Sequence, residues 1–215
     1  MIQLLKNNFL IFLVVLTGCK SKPAEESLPF INKPDFTPEW IEKNDPAYSS
    51  IHRIPAFSFT DQDGKTVTEK TVEGKIYVTD FIFTRCGSIC PKMTTNMGII
   101  QEKFKNNDDV LLLSHSVTPG MDSVPVLKKY AIEKGVISGK WHLLTGKEDD
   151  IYSLAKKQYY AGDTIGYYQT GNEFLHTENF ILVDKQRRIR GVYNGTLPLE
   201  MERLADDMNT LLKEE

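Results

Sequence analysis

The stretch Lys75 to Phe83, KIYVTDFIF, constrains this chain more than any other. It is rich in β-branched and aromatic side chains, which suit a pleated strand, and its near-continuous apolar character is that of a strand buried within a sheet. The run leads into Cys86-Gly87-Ser88-Ile89-Cys90-Pro91. Pro91 fits the first turn of a helix, where a missing N–H costs little. Met93, Met97, Ile100 and Phe104 then recur at spacings of three and four, the period of a helix with one apolar face. A central strand, a cysteine loop and an amphipathic helix therefore follow one another.

The same alternation governs the rest of the chain. Before the central strand, PAFSFTDQDGKTVTEK sets an Asp-Gly turn between two short strand-like runs and reads as a β-hairpin. After it come a strand over Val110 to Val117, a helix over Asp122 to Glu133 with Val126, Leu127 and Tyr130 inward, and a short strand from Trp141 to Leu144. A third helix spans Glu148 to Tyr160, and Tyr167 to Leu175 has the look of a hairpin around Gly171. Phe180 to Val183 and Ile189 to Tyr193 form an antiparallel pair around an Asp184-Lys185-Gln186 turn, and Leu199 to Leu212 closes the chain as an amphipathic helix. This order is that of an α/β, thioredoxin-like fold with an N-terminal β-hairpin and an inserted hairpin ahead of the strand that follows His176.

The N-terminus has a different character. Lys6 is the only charge before Cys19, and Phe9 to Leu16 reads FLIFLVVL, too short to span a bilayer but suited to the apolar core of a secretory signal. Leu16-Thr17-Gly18-Cys19 resembles a bacterial lipobox, which implies cleavage after residue 18, lipidation of Cys19 and a lipid-anchored protein of the cell envelope facing the periplasm or exterior. Residues 19 to 50 hold five of the ten prolines and no apolar period of helix or strand type, as a tether does. Phe36, Trp40 and Ile41 are its candidates for packing onto the domain, which occupies residues 51–215. The formal charge of −3 falls to −4 when Lys6 is lost, since 25 basic residues then face 29 acidic ones. That sign and size argue against a nucleic-acid partner.

With Cys19 lipidated, only Cys86 and Cys90 remain of three cysteines. Near a helix N-terminus, with Arg85 beside them, both are expected to favour the thiolate. Thiolate serves disulfide exchange and soft-metal binding alike, so spacing becomes the discriminator. Thiol-disulfide oxidoreductases use Cys-x-x-Cys, whereas three residues intervene here. A structural zinc site needs four Cys or His ligands, and two thiolates with one imidazole better suit a low-coordinate soft ion, copper(I). Of the four histidines, His52 precedes the first strand and reads as a surface residue, while His142 reads as structural. His115, inside a central strand, reads as a core histidine or a supporting group near the site. His176 stands just ahead of the Phe180 strand, whose N-terminal end abuts the cysteine loop in a thioredoxin topology.

Several motifs now act together. Phe83-Thr84-x-Cys86-x-x-x-Cys90-Pro91, Ser116-Val117-x-Pro119 with Asp122, Leu127-x-x-Tyr130, Trp141-x-Leu143-Leu144-Thr145-Gly146 and His176 four residues ahead of Phe180 resemble, in order, the Sco/SenC family of copper-binding cytochrome c oxidase assembly proteins. The similarity covers roughly residues 54 to 213. It implies copper, as Cu(I) or Cu(II), held by Cys86, Cys90 and His176 and delivered to the oxidase subunit carrying the dinuclear copper site. Other copper chaperones or thiol reductants are the further partners it implies. Thiol reductases of this fold usually carry a cis-proline where this chain has Thr177 beside His176, which favours metal over redox chemistry.

The chain also departs from the family pattern. Arg85-Cys86-Gly87-Ser88 replaces a frequent His-Cys-Pro-Asp, and Thr118 replaces an Asp, changes that bear on copper affinity and reduction potential. The competing function is a thiol-disulfide oxidoreductase or peroxidase-like enzyme using the Cys86/Cys90 pair as a redox disulfide; a structural staple is the third. Met93 and Met97 read as helix core rather than thioether ligands, and Tyr159, Tyr160, Tyr167 and Tyr168 as either buried aromatics or a partner-facing surface.

Overall fold

A computed structural model describes residues 27–161 and 177–214. The elements run β1 (Phe30–Ile31), β2 (Pro38–Glu39), β3 (Ser58–Thr60), β4 (Thr66–Thr68), β5 (Ile76–Ile82), α1 (Cys90–Phe104), β6 (Val110–Ser116), α2 (Val124–Lys134), β7 (Trp141–Leu144), α3 (Glu148–Gln158), β8 (Asn179–Val183), β9 (Ile189–Asn194) and α4 (Pro198–Lys213). Five strands form one sheet in the order β7-β6-β5-β8-β9. The fold is thioredoxin-like α/β, as the order of elements implies.

The run Lys75–Phe83 supplies β5, the middle strand, and each of its seven residues is buried. It pairs in parallel with β6 and antiparallel with β8. The crossovers β5-α1-β6 and β6-α2-β7 step the same way across the sheet, so right-handed connections put both helices on one face. There α1, α2 and α4 share a core that includes Met93, Met97, Ile100, Leu127, Leu204 and Met208. From β7 the chain crosses back over β5 to the antiparallel β8, and α3, between them, packs on the other face. There it shares a core with Phe57 and Phe59 of the β3–β4 hairpin region, Tyr77 and Phe81. That hairpin turns at Asp63-Gly64, where Gly64 takes φ 75°, a conformation glycine adopts without strain.

Two expectations are corrected. Residues 27–50 do contain strand: β1 and β2 pair antiparallel, and Phe30 and Ile31 are buried while Trp40 is 67% exposed. The physical cause is a buried arginine pair at the start of β9, Arg188 just before it and Arg190 within it. Arg190 donates to the carbonyls of Leu28 and Pro29, and the guanidinium carbons of Arg188 and Arg190 lie 4.6 and 4.4 Å from the Phe30 ring centroid. Asp184 and Glu214 balance the two charges. On α2, Leu127, Tyr130 and Ala131 form the buried stripe and Val126 is only half-buried. The expected hairpin over 167–175 and the signal segment 1–18 lie outside the described residues. Among those described, no helix is long and apolar enough to cross a membrane.

Candidate metal centre

The cysteine loop begins where β5 ends. Cys86 N–H donates to the Phe83 carbonyl at 3.2 Å, while the Ile89 carbonyl accepts from Lys92 and Met93 and opens α1. Cys90 and Pro91 are its first two residues, and no side chain caps the helix. Both thiols are free, Cys86 half-exposed and Cys90 buried. The two side chains are close enough to influence each other's ionisation, so the fold brings the two sulfurs together.

Their electrostatics are unequal, which corrects the expectation of two thiolate-prone cysteines. Partial burial pushes Cys86 up, but the backbone amides of Cys90, Ser88 and Ile89 and the Cys90 thiol outweigh it and leave Cys86 below its ordinary value. For Cys90, burial dominates and pushes the thiol up to about 12, with Cys86 and Asp80 adding to the rise. The helix terminus thus favours the exposed sulfur, and desolvation overrides it at the buried one. Backbone amides rather than Arg85 lower Cys86.

Beneath the loop lies polarity inside the core. Asp80, fully buried on β5, accepts from Ser114 Oγ, which in turn accepts from Trp141 Nε1 at 2.9 Å. The second Asp80 oxygen has no partner among the described residues, and burial raises the carboxyl to about 7. At the rim, Asp122 binds Thr84, Ser116 and Thr118. Asp80 was legible as the single acid within the apolar run, and Asp122 only as part of a motif.

The histidines separate as their positions dictate. His115 lies on the face away from the cysteine loop, ringed by Phe57, Phe59, Phe81 and Tyr159. Neither ring nitrogen has a partner among the described residues, and burial lowers it to about 3. It is a core histidine and not a supporting group of the site. His142 is structural, 2.9 Å from Asp61 Oδ2. His52 is half-buried, with Nε2 2.9 Å from the Gln158 carbonyl. Met93 and Met97 are fully buried core residues, and Tyr159 and Tyr160 are buried as well. His176, Cys19, Tyr167 and Tyr168 lie outside the described residues. Among those described, no group of three or more His, Cys, Asp or Glu side chains is placed to hold a metal ion. The pairing of β5 with β8 runs from Tyr77↔Val183 to Thr79↔Ile181, so the start of β8 lies beside the end of β5. Thr177 is buried there and the described residues contain no cis peptide.

A sequence profile of the SCO1/SenC family matches residues 47–213. The chain belongs to that family. A SCO1/SenC family lipoprotein from Bacillus anthracis superposes with a TM-score of 0.66 at 32% identity, over 75% of this chain and 96% of the other. BsSco, a Sco family cytochrome c oxidase assembly protein in which a disulfide switch has been identified, superposes with a TM-score of 0.63 at 30% identity, over 77% and 96%. ScoI of Arabidopsis thaliana, solved with copper bound, gives a TM-score of 0.57 at 27% identity, over 72% and 97%.

Proposed function

We propose that this SCO1/SenC protein carries copper in the cell envelope, holding it between the Cys86 and Cys90 thiolates and the His176 imidazole and passing it to the dinuclear copper site of cytochrome c oxidase. The pairing of the two sulfurs at the start of α1 carries the proposal. Two thiolates are soft donors of the kind copper(I) selects over harder ions. A Sco relative with copper bound and another that assembles cytochrome c oxidase support the cargo and the destination. Loading displaces both thiol protons, and most of that cost falls on Cys90, whose thiol is raised to about 12. Copper(I) affinity is therefore expected to rise with pH.

The same proposal assigns residues 1–18 to a signal peptide, Cys19 to lipidation, 19–50 to an arm and 51–215 to the copper-binding domain, facing the periplasm or exterior. A lipoprotein relative supports the anchor. Titrating the reduced protein with copper(I) against a chromophoric chelator tests the site. Loss of affinity in Cys86→Ala, Cys90→Ala and His176→Ala is expected, and unchanged affinity and stoichiometry in all three overturn the ligand set.

One observation favours a second function, a thiol-disulfide oxidoreductase: Cys86 is half-exposed and Cys90 buried, the arrangement of an attacking and a resolving thiol. In that chemistry two electrons and two protons pass from the dithiol to a client disulfide, leaving a Cys86–Cys90 bond. Turnover in a metal-free exchange assay that ignores His176→Ala would select it.

A further inference from the structure

The fully buried Asp122 carboxylate collects donors from two separate loops. Its Oδ1 accepts from Thr84 Oγ1 at 2.6 Å. Its Oδ2 accepts from Ser116 Oγ at 2.7 Å, Thr118 Oγ1 at 3.0 Å and the Thr84 N–H at 3.3 Å. All four donors are neutral, and bonds to a carboxylate are roughly twice as strong as those between neutral groups.

Ser116, which ends β6, Thr118 and Asp122 itself belong to the turn that joins β6 to α2. That turn braces itself: the Thr118 carbonyl accepts from Met121 and Asp122 at 2.8 and 2.9 Å, and Ser116 Oγ accepts from the Thr118 N–H at 3.1 Å. Val117 N–H also donates to the Ile82 carbonyl at 2.8 Å, which ties the turn to the last residue of β5. Thr84 belongs to neither brace. It opens the cysteine loop two residues before Cys86, and Asp122 grips it at both its hydroxyl and its amide.

We propose that Asp122 is the positioning residue of the cysteine loop, acting through Thr84 to fix where Cys86 stands against Cys90. The inference rests on the reading of this pair as the working thiols, whether for copper or for exchange. Two sulfurs must meet on one ion or in one bond, and their effective concentration falls when one end of the loop is released. Thr84→Val keeps the side-chain shape and removes one bond to the carboxylate. Ser116→Ala removes a bond to the same carboxylate without touching the loop. A purely structural Asp122 predicts that these two variants behave alike.

The test is the equilibrium of the metal-free Cys86/Cys90 pair with reduced and oxidised glutathione, read beside the melting temperature. Oxidised glutathione takes the two electrons and two protons as the disulfide forms. Thr84→Val and Asp122→Ala are expected to lower the equilibrium constant roughly tenfold, the effect of losing one charge-assisted hydrogen bond, and the double variant no further. Thr84→Ser returns it to within about twofold of wild type, and Ser116→Ala lowers the melting temperature while leaving the constant within about twofold. Bridging of the two thiols by phenylarsine oxide, which needs both sulfurs on one arsenic atom, follows the same order. A constant that does not fall in Thr84→Val, or that falls equally in Ser116→Ala, overturns the proposal. Both readouts work without copper, so failure of the copper titration is distinguishable from failure here. If Asp122→Ala does not fold, the Thr84 and Ser116 variants decide alone.

Discussion

Asp80 and His115 sit on adjoining strands, β5 and β6, in neighbouring register positions and on opposite faces of the sheet. Burial raises Asp80 from 3.8 to about 7, partly offset by the Ser114 hydrogen bond, and lowers His115 from 6.5 to about 3. The signs are opposite. An acid whose folded pKa is raised adds stability that is complete below 3.8 and lost as pH rises through 7. A base whose folded pKa is lowered adds stability that is complete above 6.5 and lost as pH falls toward 3. At 1.36 kcal/mol per pKa unit, raising the pH from 5 to 8 costs about 2.5 kcal/mol at Asp80, while lowering it over the same interval costs about 2 kcal/mol at His115. The two slopes nearly cancel in the wild type, and single substitutions separate them. Asp80→Asn keeps an oxygen for Ser114 Oγ and abolishes the titration; His115→Phe keeps a ring among the surrounding aromatics. Urea unfolding of the reduced protein, followed by fluorescence of the buried Trp141, gives the free energy at each pH. Relative to wild type, Asp80→Asn should gain about 2.5 kcal/mol from pH 5 to 8, and His115→Phe about 2 kcal/mol from pH 8 to 5. Differences that stay flat to within about 0.5 kcal/mol across this range would refute the buried-charge account of both residues.

Three further outcomes follow from the packing. Iodoacetamide at pH 7.5 should alkylate Cys86 well before Cys90, because one thiol is half-exposed and lowered and the other buried and raised; peptide mapping that finds equal rates contradicts this. Gly195→Ala should cost about 1–3 kcal/mol, since a Cβ there would stand 2.6 Å from the Phe180 ring and 3.0 Å from the Glu178 carbonyl; thermal melting measures it. Phe30→Ala should cost about 3 kcal/mol by emptying the space beside two guanidinium groups, and limited proteolysis should then cut first within residues 27–50.

The sheet and helices were legible because their periods are simple. β5, β6 and β7 are short apolar runs that can only be buried, and α1 repeats apolar residues at three and four. The cysteine pair was legible from its isolation in the chain. What escaped were properties that depend on two distant segments meeting. Phe30 looks like one apolar residue in a proline-rich arm until Arg188 and Arg190, remote in sequence, arrive beside its ring. The unequal thiols escaped for the same reason: a helix N-terminus predicts two lowered cysteines, and only the packing of Cys90 into the α1 core reverses one. Asp122 was visible as a motif residue, but its grip on Thr84 spans 38 positions.

The arm and the site also stand at opposite ends of the sheet, by topology alone. β8 runs antiparallel to β5, and β9 antiparallel to β8, so β9 runs parallel to β5. Val183 pairs with both Tyr77 and Ile189, which sets the start of β9 level with the start of β5. Arg190, one residue on, holds the carbonyls of Leu28 and Pro29. The cysteine loop leaves the other end of β5, beyond Ile82, about 20 Å away at the rise of a parallel strand. The described chain therefore begins near the end of the sheet opposite Cys86 and Cys90. For a protein anchored through Cys19, as proposed, releasing the arginine clamp should alter the pair's encounters with a membrane-bound client while leaving its intrinsic chemistry intact.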